Sequence, residues 1–188
     1  MPAYAYSILG TGWLLWTIPF LLLYAKRSAG RPAKVDRRAR WGILFIYASY
    51  ALVWQGHFWT RSQAPWRIAA SVLFLVSASV LAWTSTRALG RFWRLEAGLD
   101  ADHKLVRSGP YRVIRHPIYT SMFCMLFGTG LLLATPLLLL LPSILLMATG
   151  TEIRVRIEDR LLASRFGEQF LEYQRRVPAY VPFIRRHG

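Results

Sequence analysis

Residues Gly109 to Tyr119 read Gly-Pro-Tyr-Arg-Val-Ile-Arg-His-Pro-Ile-Tyr, and a long apolar run follows directly. The eleven positions hold two Tyr, two Arg, one His and two Pro. Polar groups at the edge of a lipid-crossing helix are costly unless they face protein, water or a ligand. The stretch therefore marks a point where the chain enters a bilayer, and it is the first place to look for a site.

Five apolar spans can be marked around it. They are Tyr6–Ala25, Trp41–Thr60, Trp66–Leu89, Pro117–Ala134 and Pro136–Gly150. About 20 apolar residues suffice to cross a bilayer as helix. The last two are separated only by Thr135-Pro136, which predicts a tight helical hairpin with Pro136 in the first turn of the new helix. The fifth span is short, so it either continues as helix beyond Glu152 or dips incompletely.

The charge is as informative as the hydropathy. The chain has 188 residues, is 54% hydrophobic and carries a formal net charge of +15. A soluble nucleic-acid binder shares the charge but not the apolar runs, so no nucleic-acid partner is expected. Of 24 basic residues, seven lie in Lys26–Arg40, seven in Arg87–Arg115 and eight in Arg154–Arg186. Only Arg61 and Arg67 fall elsewhere. Five spans put all three basic segments on one side, which the positive-inside rule makes cytoplasmic, with the N-terminus outside. The first span lacks a basic leader and reads as a retained helix. The expected architecture is an all-α integral membrane protein, a single multi-pass membrane domain over 1–188. Three spans fill 1–89, and a catalytic half with a helical hairpin fills 90–188.

Other features read more plainly. The single cysteine, Cys124, sits in an apolar run as a small packing residue; no Cys spacing suits zinc, and no metal is expected. The eight Trp residues fall mostly near span ends, as interfacial anchors do. His57 and His187 lie outside any motif. Thr151–Tyr173 reads as a cytoplasmic helix interrupted near Gly167, with Glu152/Arg156 and Arg154/Glu158 at i,i+4 spacing. Leu161, Leu162, Phe166 and Phe170 give this helix an apolar face for the membrane or the helix ends. Val177–Ile184, punctuated by Pro178 and Pro182, is extended and apolar enough to pack back.

In order, His103-Lys104-Leu105-Val106, Ser108-Gly109-Pro110-Tyr111, Arg115-His116-Pro117-Ile118-Tyr119, Arg154, Glu158-Asp159, Leu161-Leu162, Phe166-Gly167, Tyr173, Val177-Pro178 and Pro182-Phe183-Ile184 resemble the cofactor-binding half of the isoprenylcysteine carboxyl methyltransferases. The resemblance covers Leu89 to Ile184. It implies S-adenosylmethionine as methyl donor and S-adenosylhomocysteine as product, with the tail closing the donor pocket at the cytoplasmic face. Carried over by motif position, the donor contacts are Glu96, His103, Lys104, Leu105, Val106, Tyr111, His116, Pro117, Ile118, Tyr119 and Glu158. Arg154 is the position that orients the acceptor, and Arg154 with Glu158 make the implied catalytic pair. The chain departs from the family pattern in having Glu96 where Gln is common and Asp159 where a second Glu is common.

The chemistry suits these residue types. Carboxylates engage ammonium and ribose hydroxyl groups, and Tyr rings face cations. Methyl transfer to an ionised carboxylate needs no general base, and a guanidinium holds such an acceptor bidentately. An amine or thiol acceptor would need a base, for which His116 or Glu158 is nearest. The leading expectation is a membrane methyltransferase acting on a lipophilic acceptor, such as the carboxylate of an isoprenylcysteine-like or other isoprenoid molecule. A phospholipid amine or a thiol is the alternative acceptor. An NADPH-dependent reductase of the sterol double-bond type, with a similar Arg-His-Pro-x-Tyr pattern, and a non-catalytic lipid-binding membrane protein stay open.

Overall fold

The computed structural model describes residues 3–25, 34–55, 63–94, 98–99 and 103–181. Among them are six α-helices: α1 (Ala3–Ala25), α2 (Ala39–Val53), α3 (Pro65–Leu89), α4 (Pro117–Leu132), α5 (Leu137–Phe166) and α6 (Glu168–Arg176). Two-residue strands, β1 (Lys34–Val35) and β2 (Gly98–Leu99), pair antiparallel. The all-α expectation is amended to that extent: backbone polar groups at the end of a bundle need partners, and a short ladder supplies them.

Each of the five expected spans is a helix, but their lengths differ. The segments Ala3–Ala25, Pro65–Phe92 and Leu137–Phe166 are long and apolar enough to cross a membrane. α2 has 15 residues and α4 has 16, or about 23–24 Å of helix against a ~30 Å hydrocarbon core. α2 stops at Val53 rather than reaching Thr60, and residues 56–60 of the expected span lie outside the described residues. α5 runs unbroken through Glu152 to Phe166, so the fifth span does continue as helix.

The α4–α5 turn is as tight as expected. Ala134 takes a positive φ of 50° and Thr135 N–H donates to the Gly130 carbonyl at 3.0 Å, closing α4 in a Schellman-like cap. Thr135 Oγ1 donates to the Val53 carbonyl at 3.1 Å, tying the same turn to the end of α2. Pro136 stands just before α5 rather than in its first turn. After the turn the helices part: α4 packs along α3, and α5 along α2. The pair is a hairpin in connectivity and a wedge in shape.

Small residues bring the packed pairs together, as is usual where no water drives helices into contact. On the α3–α4 side, Ser71 Oγ donates to the Gly128 carbonyl at 2.7 Å. On the α2–α5 side, a Cβ added to Gly150 would lie 2.6 Å from the Gly42 carbonyl oxygen, and one added to Gly42 would lie 2.6 Å from Arg154 Cγ. The backbones of α2 and α5 therefore touch one turn before Arg154.

After α5, Gly167 (φ 53°) breaks the helix where the sequence suggested, and α6 turns back over the bundle. The following segment lies against the start of α4. Arg115 and His116 backbone N–H groups donate to the Pro178 and Ala179 carbonyls at 2.8 and 3.0 Å, and Thr120 Oγ1 donates to the Tyr180 carbonyl at 2.8 Å. Pro182, Phe183 and Ile184 lie outside the described residues.

Gly150→Ala is expected to lower stability by about 1–3 kcal/mol, because the new methyl must push one backbone off another. Gly10 has nothing within 4 Å of an added Cβ, so Gly10→Ala is expected to be neutral or slightly stabilising. Thermal unfolding of both variants in the same detergent checks the pair.

Candidate functional site

A cavity of about 450 Å³ lies inside the wedge, bounded by α1, α2, the start of α4, the second half of α5, α6 and the segment before α4. Its polar wall is built from helix spacing. Arg154 and Glu158, four apart on α5, share one face. Tyr119 reaches them from the first turn of α4. Arg154 Nε donates to Tyr119 Oη at 2.5 Å, Tyr119 Oη donates to Glu158 Oε1 at 2.5 Å, and Arg154 Nη2 donates to the same oxygen at 3.2 Å. Arg154 is 5% exposed, whereas a quarter of the Glu158 side chain is open.

Behind that wall His116 sits between two carboxylates. Its Nε2 lies 2.9 Å from Asp159 Oδ1 and its Nδ1 lies 3.6 Å from Glu158 Oε2. Burial disfavours the charged ring, but the hydrogen bonds and charges of Asp159 and Glu158 outweigh it and raise the His116 pKa above its ordinary 6.5. Asp159 Oδ2 also accepts from Arg115 Nη2 at 3.0 Å and from Gln174 Nε2 at 3.2 Å. Arg115 Nη1 donates to the Gln174 and Val177 carbonyls, both at 3.0 Å, so it caps the end of α6. Tyr173 Oη donates to the Tyr111 carbonyl at 2.6 Å. Burial, the largest influence on each, raises the Tyr111 hydroxyl pKa and pushes that of Tyr173 up to about 12.

The remaining wall is aromatic. Trp13 stacks edge-on with Trp16 and Tyr50, at 5.8 and 5.2 Å between ring centroids, and Trp16 does so with Phe20 at 5.3 Å. Three hydrogen bonds fix this wall to α4. Trp13 Nε1 donates to Thr129 Oγ1 at 3.2 Å, Trp16 Nε1 to Ser121 Oγ at 3.1 Å and Tyr50 Oη to the Met122 carbonyl at 2.9 Å.

The structure brings most of the sequence candidates to this one cavity. His103, Lys104, Leu105, Val106, Tyr111, His116, Ile118, Tyr119, Arg154 and Glu158 all line it. Pro117 does not; it is fully buried as the first residue of α4. Glu96 lies outside the described residues. One reading is corrected: Trp13 and Trp16 are not interfacial anchors, because their indoles point inward and bond to α4. Of the two places expected for the apolar face of the tail helix, the membrane or the helix ends, Leu161, Leu162 and Phe170 take the second and line the cavity. Sequence reasoning also missed Arg115 and Asp159 as site-building residues, although both stand inside the quoted motifs. Trp13, Trp16 and Phe20 were readable as one face of α1 from their i, i+3 and i+7 spacing. Tyr50, within an apolar run, gave no local signal.

Comparison with known proteins bears on the family and the fold. A family model described as phospholipid methyltransferase matches residues 66–169. The chain is 28% identical over 124 residues to protein-S-isoprenylcysteine O-methyltransferase B of Arabidopsis thaliana, covering 65% of this chain and 62% of that protein. It is 30% identical over 131 residues to the protein-S-isoprenylcysteine O-methyltransferase of Homo sapiens, covering 68% of this chain and 46% of that protein. The solved structure of a eukaryotic intramembrane Ras methyltransferase, isoprenylcysteine carboxyl methyltransferase, superposes with a TM-score of 0.63 at 25% identity, covering 76% of this chain and 52% of that one. The chain thus aligns with less than two thirds of the length of these relatives, and it shares their helical, multi-pass membrane fold.

Arg115→Ala leaves Asp159 buried without its guanidinium and the α6 carbonyls uncapped. A loss of about 3–5 kcal/mol is expected, as for other broken buried pairs, read as a lower unfolding temperature. His116 adds a pH dependence. Its pKa is raised on folding, so its stabilisation is complete below the unfolded value of 6.5 and is lost as pH rises through the higher native value. The unfolding temperature should fall over that window in the wild type, and His116→Gln should flatten the slope; an identical slope in the variant would contradict the assignment.

Proposed function

The chain belongs to the phospholipid methyltransferase family, and from that premise we propose that it is an integral membrane methyltransferase. It takes its methyl group from S-adenosylmethionine and gives it to a lipophilic acceptor, the carboxylate of an isoprenylcysteine-like or other isoprenoid molecule. The observation that carries this reading is the composite cavity. One end is lined by Arg154, Glu158, His116 and His103, and the other by the aromatic wall of Trp13, Trp16 and Tyr50. A water-soluble donor and a lipid-soluble acceptor need such a space.

The residues fit the donor. The cavity falls in the ~300–1,000 Å³ range of small-molecule sites, and the open quarter of Glu158 offers a carboxylate to an ammonium or to ribose hydroxyls. When bound, the donor supplies an electrophilic methyl group on a sulfonium. Tyr111 and Tyr119 offer rings and hydroxyls beside that charge. The segment His103–Val106 offers backbone groups, with the His103 ring seated 5.0 Å from that of Phe92. Arg154, its plane fixed by Tyr119 and Glu158, orients and partly neutralises the acceptor carboxylate. No group has to remove a proton from an ionised carboxylate, so the protein's work is alignment and exclusion of water. Alignment alone is worth up to ~7–11 kcal/mol in favourable systems. α6 and the segment to Tyr180 close the site from above.

By the positive-inside rule, the basic segments around it support reading this end of the bundle as cytoplasmic and the N-terminus as outside, which puts the site where a water-soluble donor is available. The acceptor reaches the aromatic wall from the membrane. The methyltransferase family weighs against the nicotinamide-dependent reductase. An amine acceptor, as a phospholipid methyltransferase would use, needs a base, and the two nearest groups are already engaged: His116 lies between Asp159 and Glu158, and Glu158 pairs with Arg154.

Calorimetric titration of the purified protein with S-adenosylmethionine tests the donor half. Glu158→Ala should weaken binding by about 10–100-fold, the loss of one charge-assisted hydrogen bond; an unchanged affinity would count against the site. Incubation of membranes with isotopically labelled donor, read by mass spectrometry, tests the acceptor half. A labelled methyl ester is expected, whereas a labelled amine or thioether would replace the carboxylate assignment.

A further inference from the structure

Because α4 and α5 diverge, the wedge has a second face. There a groove of about 780 Å³ runs between them, with Phe74 of α3 at one end and Tyr180 and Val181 at the other. The two ends differ in chemistry. The deep end is aromatic: Phe74 and Phe127 lie 5.6 Å apart, with Phe123 and Cys124 alongside. At the shallow end Arg156 Nε meets Glu152 Oε1 at 2.8 Å, and Tyr180 Oη donates to Glu152 Oε2 at 3.2 Å. Arg156 is 64% exposed and Glu152 is 23% exposed, so both charges stand at the rim. From Thr120 to Phe127 the groove follows α4 for about 10 Å, and from Ala148 to Arg156 it follows α5 for about 12 Å.

We propose that this groove binds a zwitterionic glycerophospholipid, with one acyl chain along Phe123, Cys124 and Phe127, the phosphate on Arg156 and the headgroup ammonium on Glu152. The charge order argues for this occupant. An anionic lipid without an ammonium engages Arg156 through its phosphate but brings no cation to Glu152, and a fatty acid carboxylate does the same. A lipid carrying both signs can engage both residues. The apolar depth runs perpendicular to the rim, as a lipid tail does. The site also touches the tail: Tyr180 and Val181 form its edge, and the preceding Pro178 and Ala179 carbonyls accept from Arg115 and His116. A lipid here braces the segment that closes the main cavity. The proposal stands apart from the methyl-transfer reading and holds whatever reaction that cavity performs.

The test uses the full-length protein in nanodiscs containing phosphatidylcholine with a photoactivatable diazirine on its acyl chain, or phosphatidylglycerol with the same group. Peptide mapping after illumination should find phosphatidylcholine adducts on Phe123–Phe127 several-fold above those on the lipid-facing Leu73, Val76 and Val80 of α3, with fewer from phosphatidylglycerol. Arg156→Ala and Glu152→Gln should each reduce the groove adducts several-fold and leave the α3 adducts unchanged. Cys124, the single cysteine of the chain, gives a second readout in wild-type protein. Its alkylation by N-ethylmaleimide in detergent should slow when phosphatidylcholine is added and not when phosphatidylglycerol is added. Adducts spread evenly over the exposed faces, equal labelling by the two lipids, or an unaltered alkylation rate would overturn the proposal.

Discussion

Arg154 carries a permanent charge into the middle of an apolar bundle, and much of the layout follows from making that tolerable. Removing such a group from water costs several kcal/mol unless its hydrogen bonds and charge are matched. Glu158 matches the charge from one turn further along the same helix, and Tyr119 bridges the two from α4. For Tyr119 to reach, α4 has to begin where it does, with Pro117 as its first residue. For the Arg154 stem to fit, α2 has to lack a side chain at Gly42, whose place Arg154 Cγ already fills. Replacing any one of these changes the conditions for the others.

The second constraint is the closure of the chain's last described segment over the same residues. α6 is polar and short, and little apolar surface holds it down beyond Phe170 and Tyr173. Its position rests on Arg115, whose guanidinium spans the Gln174 and Val177 carbonyls and the Asp159 carboxylate. Asp159 in turn orients His116. Adjacent residues on one helix thus divide the work: Glu158 faces the cavity, and Asp159 faces the tail that covers it. Closure and site geometry are coupled through a single carboxylate pair.

The sequence carried the helices well and their lateral arrangement poorly. Apolar run length located all five long or short apolar helices, and Gly167 announced the break before α6, because both are local properties. The polar wall was also legible, since Arg154 and Glu158 are one helical turn apart and His116 to Tyr119 are contiguous. The aromatic wall was not, because Trp13, Trp16 and Tyr50 are brought together by packing of α1 and α2 about α4, over separations of more than 30 residues in the chain. An indole near a span end has the same composition whether it faces headgroups or a partner hydroxyl; only Thr129 and Ser121, more than a hundred residues away, decide it. The end of α2 at Val53 is met by Thr135, whose hydroxyl donates to the last helical carbonyl from 82 residues away, a contact that leaves no mark within the span itself.

The divergence of α4 from α5 ties these parts together. A tight turn followed by parallel packing would have filled the interior with leucine and left no cavity. Instead each helix is drawn to a different neighbour by a small-residue contact, Gly128 against α3 and Gly150 against α2. The space opened between them has to be lined by side chains that tolerate both water and lipid. Tyr119, Tyr50, Trp13 and Trp16 do so by placing a polar atom on a fixed acceptor and leaving an apolar face to the cavity. Under the proposed reaction that lining has a further consequence. The carboxylate to be methylated sheds water on entering an aromatic slot, which raises its reactivity, while Arg154 keeps the desolvation from becoming prohibitive. One buried guanidinium then serves both ends of the problem, holding the wedge open through its partners and receiving the charge that the wedge admits.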